Sequence, residues 1–120
     1  MIKISHFKDN TVYTTRDGSQ IRELMHPQQH GNVAQSLAEA VVEPGMETLL
    51  HMHTQSEELY HITQGEGLMT LASDRFSVRL GDTICIPPGT AHKIKNTGTV
   101  TLKILCCCSP PYSHEDTFLI

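Results

Sequence analysis

The stretch GMETLLHMHTQSEELYHITQG, residues 45–65, decides how this chain is read, together with GDTICIPPGTAHKIKN at residues 81–96. The first segment has the spacing G-x5-H-x-H-x4-E-x6-G, with Gly45, His51, His53, Glu58 and Gly65 at its fixed positions. The second runs G-x5-P-x-G-x2-H-x3-N through Gly81, Pro87, Gly89, His92 and Asn96. On a strand His51 and His53 point to the same face, because side chains alternate. Glu58 follows across a short bend (Thr54 to Glu57), and an antiparallel neighbour brings its carboxylate beside the two imidazoles. His92 comes after Pro87-Pro88-Gly89-Thr90, a turn able to deliver a fourth group. Three imidazoles and one carboxylate suit a divalent first-row transition metal. The pattern points to chemistry on a small molecule inside a pocket.

Working outward, Gly and Pro signals break the chain into segments of about four to ten residues, which favours many short strands in a sandwich or barrel. Val100, Leu102, Ile104, Cys106 and Cys108 share one face, with Thr101 and Lys103 opposite. Ser36 to Val42 reads as a strand ending at the Pro44-Gly45 turn, and Ile21 to Met25 as an early strand. Gln64-Gly65-Glu66-Gly67 is a tight connection between two strands, and Asn96-Thr97-Gly98 a similar turn. His26 to Gly31 reads as a loop. The tail from Ser109, with two prolines, reads as an irregular extension that leaves the last strand.

The two motifs resemble the signature of the cupin superfamily, and all ten fixed positions fit without substitution. Each would match by chance about one time in twenty or less. The resemblance implies an all-β fold, an antiparallel double-sheet jelly-roll barrel. The length of 120 residues gives one domain over 1–120: an N-terminal strand over 1–15, a core barrel over about 20–108, and the irregular tail 109–120. The resemblance also implies a metal ion held by His51, His53, Glu58 and His92, which leaves zinc, iron, manganese, nickel and cobalt all open. Small cupins commonly form homodimers, and the segment Met1 to Phe7 is the strand expected to exchange. Gly65 and Asn96 read as turn and strand-end positions. Spacing selects Glu58 over Glu57, which falls on the opposite face.

Beside the metal, Tyr60 is the candidate catalytic residue. It lies two residues after Glu58, shares the ligand face, and carries a phenol able to hold or move a proton. Gln64 is on that face but near the turn. Arg22 and Glu23 alternate, so at most one points inward; Arg22 is expected to face solvent, and an inward Arg22 would suit a substrate carboxylate. His61 is expected to point away, and His6, His26, His30 and His114 read as surface or loop residues. The tail segment Tyr112 to Asp116 is polar and able to cover the barrel mouth.

The expected function is a metal-dependent enzyme acting on a small oxygenated metabolite that is anionic or polyhydroxylated. A divalent ion among three neutral imidazoles and one carboxylate keeps a charge of about +1, which favours anions. Isomerase, epimerase or lyase chemistry of the sugar or uronate type leads; an iron(II) dioxygenase and a non-catalytic metabolite- or metal-binding module are the alternatives. The 13 acids against 9 bases, with no basic patch, argue against nucleic acid as a partner. No apolar run reaches the roughly 18 residues of a membrane span, and no signal-peptide stretch opens the chain, so a cytoplasmic location is expected. Cys85, Cys106, Cys107 and Cys108 read as buried, reduced thiols, with Cys106 and Cys108 on one face and Cys107 on the other.

Overall fold

The computed structural model describes residues 2–120. Its strands in chain order are β1 (Val12–Thr14), β2 (Gln20–Met25), β3 (Ser36–Val42), β4 (His51–His53), β5 (Glu57–Gln64), β6 (Glu66–Leu71), β7 (Asp74–Arg79), β8 (Thr83–Ile86), β9 (His92–Asn96), β10 (Leu102–Ser109) and β11 (Thr117–Leu119). They form two sheets, in the orders β1-β2-β3-β10-β5-β8 and β11-β4-β9-β6-β7. Every strand pairing is antiparallel. This is an all-β, jelly-roll-like barrel, as the breaker spacing predicts. No helix among the described residues is long and apolar enough to cross a membrane.

Register in the first sheet places inward side chains in rungs, and the rungs change character along the barrel. At one end Ser36, Cys108, Glu58 and Ile86 lie side by side. The next rung holds Glu23, Ala38, Cys106, Tyr60 and Ile84. Then come Ile21, Ala40, Ile104 and Ile62, and finally Val42 beside Leu102. Ile62, Met69, Ile94, Leu102 and Ile104 are fully buried and close the apolar end. Small and polar side chains at the other end cannot fill the space between the sheets, so a cavity remains there.

Two glycines are required by the path of the backbone. Gly65 has φ +86 and connects β5 to β6, so this tight turn crosses from one sheet to the other instead of closing a hairpin. Gly67 packs where β6 meets β9; a Cβ there would lie 2.6 Å from the Lys95 carbonyl oxygen. Asn96 ends β9 with a buried side chain that donates to the carbonyls of Val42 and Val100 and accepts from Gly98 N–H.

Several expectations need correction. Met1 lies outside the described residues, and from Ile2 to His6 the chain forms no strand; a 3₁₀ turn at Phe7–Asp9 precedes the short β1. Arg22, as expected, points away from the interior. It donates to the carbonyls of Phe7 and Asn10 and stacks on the Phe7 ring, pinning that turn. The His26–Gly31 segment is a helical turn, α1 (Pro27–His30). His26 is buried: Nδ1 accepts from Gln28 N–H and Nε2 donates to the Tyr112 carbonyl. Cys85 is exposed and Cys107 half-buried, whereas Cys106 and Cys108 face inward.

The largest correction concerns the tail. After Ser109 the chain returns through a 3₁₀ turn, and β11 pairs with β4, the strand of His51 and His53. The sequence hides this because the returning strand is only three residues long and follows two prolines. Asp116 secures the return. Its carboxylate accepts from the N–H groups of Thr54, Gln55 and Ser56 and from the Thr54 hydroxyl, at 2.6–3.2 Å. Solvent exposure keeps these charge-assisted bonds at the low end of their range. We therefore expect Asp116→Ala to cost about 1–2 kcal/mol of stability and to lower the thermal midpoint by several degrees, with Asp116→Asn intermediate. Scanning calorimetry of the three proteins checks this.

Candidate metal centre

His51 and His53 project from β4 into the polar end of the barrel, and His92 meets them from β9, where it pairs with His51. All three are buried. One ring nitrogen from each lies within 4.8 Å of the others. Glu58 enters from β5 in the opposite sheet: Oε1 is 3.4 Å from His53 Nε2 and 3.5 Å from His92 Nε2. The four residues singled out by spacing are thus brought together.

The outer nitrogens orient the rings. Nδ1 of His51 donates to the Leu49 carbonyl at 2.8 Å, and Nδ1 of His92 to the Thr90 carbonyl at 2.9 Å. Nδ1 of His53 lies 3.3 Å from the Thr117 hydroxyl, whose own proton goes to the Ser113 carbonyl, so the imidazole donates. With each Nδ1 protonated, the three Nε2 lone pairs converge on the interior. The tail strand supplies one of these orienting contacts.

Two buried atoms facing each other here, Glu58 Oε1 and His92 Nε2, have no hydrogen-bond partner. Leaving such groups bare costs on the order of 1–3 kcal/mol each, more for a charge. A cation between them removes the cost. Two neighbouring ligand atoms each about 2.1 Å from one ion are about 3.0–3.4 Å apart, depending on coordination number, close to the 3.4 and 3.5 Å seen. The donor set therefore fits a divalent transition ion.

Without the ion, protons take part of its place. Burial alone would raise the Glu58 pKa, but the closely approaching imidazoles of His53 and His92 win and bring it down to about 2. Burial pulls His53 down, and the Glu58 carboxylate more than offsets this, so His53 is raised. His51 is lowered, by burial and by the nearby His92.

Tyr60 lies one rung below Glu58 and is buried, its ring centroid 6.0 Å from that of His92. Burial, then the charge of Glu58, raises its pKa well above the usual value, so the phenol keeps its proton. Gln64 instead donates to the Thr101 carbonyl, away from the cluster, and His61 faces outward to Thr83. Glu57 is exposed.

Of the other residues lining the cavity, Glu23 and Tyr112 belong to segments that the sequence marked as secondary candidates, whereas Tyr13, Asp17 and Cys108 were not picked out as groups of the site. Asp17 Oδ2 approaches His51 Nε2 at 3.5 Å. Tyr13 donates to Glu23 Oε1 at 2.8 Å, while the other oxygen of this buried carboxylate has no partner. Tyr112, from the tail, packs edge-on to His53. Cys108 Sγ donates to Glu58 Oε2 at 3.4 Å. Parity with the apolar Ile21 was a signal for the inward Glu23. Asp17 carried none, because an Asp-Gly pair reads as a turn.

A profile for the Cupin domain matches residues 38–108. The chain is a cupin. The protein MJ1618 of Methanocaldococcus jannaschii is 61% identical over 108 residues, 90% of this chain and 86% of that one. Among solved structures, the polyketide cyclase RemF of Streptomyces resistomycificus superposes with TM-score 0.82 at 22% identity, over 100% of this chain and 86% of that chain. The nucleoside dehydratase Pac13 of Streptomyces gives TM-score 0.80 at 15% identity, over 100% and 92%. At these identities both likenesses concern the fold alone.

The shifted groups predict how the metal-free cupin responds to pH. Glu58, depressed to about 2, contributes stability above its unfolded value near 4.5, and that contribution fades as pH falls towards 2. His53, raised, contributes fully below about 6.5, and its contribution is lost as pH rises through its folded value. The pair thus stabilises the metal-free protein most between about pH 4.5 and 6.5. Glu58→Gln should flatten this maximum in thermal midpoints recorded from pH 3 to 9.

Proposed function

We propose that this cupin is a metal-dependent enzyme that rearranges a small oxygenated metabolite without consuming dioxygen, as an isomerase, epimerase or lyase. The observation that carries the metal reading is the cluster of three buried imidazoles, two of which, His53 and His92, turn Nε2 to the partnerless, buried Oε1 of Glu58. His51, His53, His92 and Glu58 would hold one divalent ion: zinc, iron, manganese, nickel or cobalt. Such an ion, when bound, polarises a carbonyl or hydroxyl oxygen and favours the anion formed on losing a proton.

The cavity walls favour proton transfer. Tyr60, protonated and packed beside His92, supports a role as proton donor to a developing oxyanion. Glu23, with one oxygen held by Tyr13 and one free, offers a second proton-accepting group on the same wall. The inner cavity measures about 40 Å³, and a wider recess of about 270 Å³ outside it holds His26, Gln28 and His114. Tyr13, Glu23 and Tyr112 line both. A small substrate would place its reacting oxygen inside and its remainder in the outer recess.

The test is anaerobic purification, elemental analysis, and a screen of sugars, uronates and hydroxyacids with an oxygen electrode. One equivalent of zinc, manganese, nickel or cobalt and turnover without oxygen uptake supports the reading. Oxygen consumption on an iron-loaded protein replaces it with a dioxygenase, and saturable binding without turnover replaces it with a binding module. His53→Ala or His92→Ala should lower metal affinity at least a hundredfold. Tyr60→Phe should keep the metal and lower kcat by about 10²–10⁴.

We further propose a homodimer in a cytoplasmic setting. Support comes from the exposed Ile2 and Ile4, 87% and 68% accessible, at an N-terminal segment without a strand partner, and from four free thiols. Light scattering that gives a monomer at micromolar concentration overturns the dimer.

A further inference from the structure

Asp17 sits in the turn between β1 and β2, outside both motifs, yet it is buried against the histidine cluster. Its carboxylate is held at one end only. Oδ1 accepts from the Ser19 N–H at 2.9 Å and from the Ser19 hydroxyl at 2.6 Å, which leaves Oδ2 facing inward. The backbone fixes this placement, because the Asp17 carbonyl accepts from Leu49 N–H at 2.7 Å. Leu49 is also the residue whose carbonyl takes the Nδ1 proton of His51. The turn and the histidine are thus locked to the same point of the chain.

The nitrogen that Oδ2 faces is the informative detail. A carboxylate that merely orients a metal-binding histidine takes the proton of the outer ring nitrogen. Here that proton is already given to Leu49. Asp17 instead confronts Nε2, the lone-pair side, at 3.5 Å. Two electron-rich atoms at that separation repel unless a cation lies between them. The arrangement repeats that of Glu58 Oε1 and His92 Nε2, also at 3.5 Å.

We propose that Asp17 is a fifth side chain directed to the ion, joining His51, His53, His92 and Glu58; this rests on the metal reading above. The consequence concerns the substrate. With two carboxylates the charge of a divalent ion is cancelled, where a three-histidine, one-glutamate set leaves about +1. The centre then gains no electrostatic advantage from an anion. Among the anionic and polyhydroxylated classes, it selects neutral polyhydroxylated molecules that bind through hydroxyl or carbonyl oxygens.

The full-length protein, stripped of metal, is titrated with cobalt(II) in competition with a chelator, and its visible absorption is recorded. Asp17→Asn keeps an oxygen for Ser19, so the turn is preserved; circular dichroism verifies the fold. It should bind cobalt at least tenfold more weakly, with altered absorption bands, and the cobalt form should bind azide at least tenfold more tightly than wild type. Cobalt affinity within twofold of wild type, with identical bands, overturns the proposal. A crystal structure of the zinc-loaded wild type needs no variant: Oδ2 within about 2.5 Å of the ion supports it, and beyond about 3.5 Å overturns it. His92→Ala separates the two readings. If that variant loses cobalt while Asp17→Asn does not, only the role of Asp17 fails. If wild type takes up neither cobalt nor zinc, both fail.

Discussion

The interior of this barrel carries a carboxylate that only positive charge can stabilise. Glu58 is buried between the sheets with Oε1 lacking any hydrogen-bond partner. Removing such a group from water costs several kcal/mol unless a proton or a metal compensates. The surroundings are arranged for that cation. Three imidazoles turn their Nε2 atoms inward because their Nδ1 protons are engaged behind them, and the thiol of Cys108 donates to the second oxygen of Glu58. The same negative potential keeps neighbouring acids protonated: burial first, then the charge of Glu58, raises Tyr60, Cys106 and Cys108. Burial and the charge of Glu58 thus favour the protonated thiols of Cys106 and Cys108 as packing groups beside the cluster.

Barrel geometry places that charge without exposing it. Strands β3, β5 and β10 of the first sheet run from polar or small residues at one end to branched apolar ones at the other: Ser36 to Val42, Glu58 to Ile62, Cys108 back to Leu102. Antiparallel register aligns these gradients, so the packed rungs supply apolar burial and the open rungs supply the cavity. Small side chains are the means, since Ala38 and Ala40 leave the space that a leucine would fill. The C-terminal return then covers the flank of the cluster, with Thr117 setting the ring of His53 and Tyr112 standing at the neck.

Much of this was legible from two-residue parity. The inward positions of His51, His53, Glu58 and Tyr60, and of Cys106 and Cys108, follow from alternation, and the motif glycines mark turns that the backbone requires. What escaped has physical reasons. Asp17 belongs to a turn, where aspartate is common for its own local hydrogen bonds, so its second oxygen has no signature. Cys85 alternates with Ile84 and Ile86 and faces out. The tail lacks periodicity because β11 contributes only three residues, and its position depends on Asp116 meeting backbone N–H groups some sixty positions earlier. His26 looked like a loop histidine because its partners, Gln28 N–H and the Tyr112 carbonyl, are backbone groups.

The two sheets contribute different chemistry, and that division couples stability to function. All three histidines of the cluster stand on β4 and β9 of one sheet, whereas Tyr13, Asp17, Glu23, Glu58 and Tyr60 belong to strands and turns of the other. The 3.4–3.5 Å approaches between imidazoles and carboxylates therefore measure the distance between the sheets. Packing at the apolar end sets that distance through Ile62, Ile94 and Ile104, and interiors packed at crystal density transmit small volume changes. A substitution there need not touch the cluster to disturb it: a few tenths of an ångström of sheet separation acts on every cross-sheet contact at once. A cation shared between the sheets acts in the reverse direction, drawing them together where the side chains are smallest and the packing is weakest.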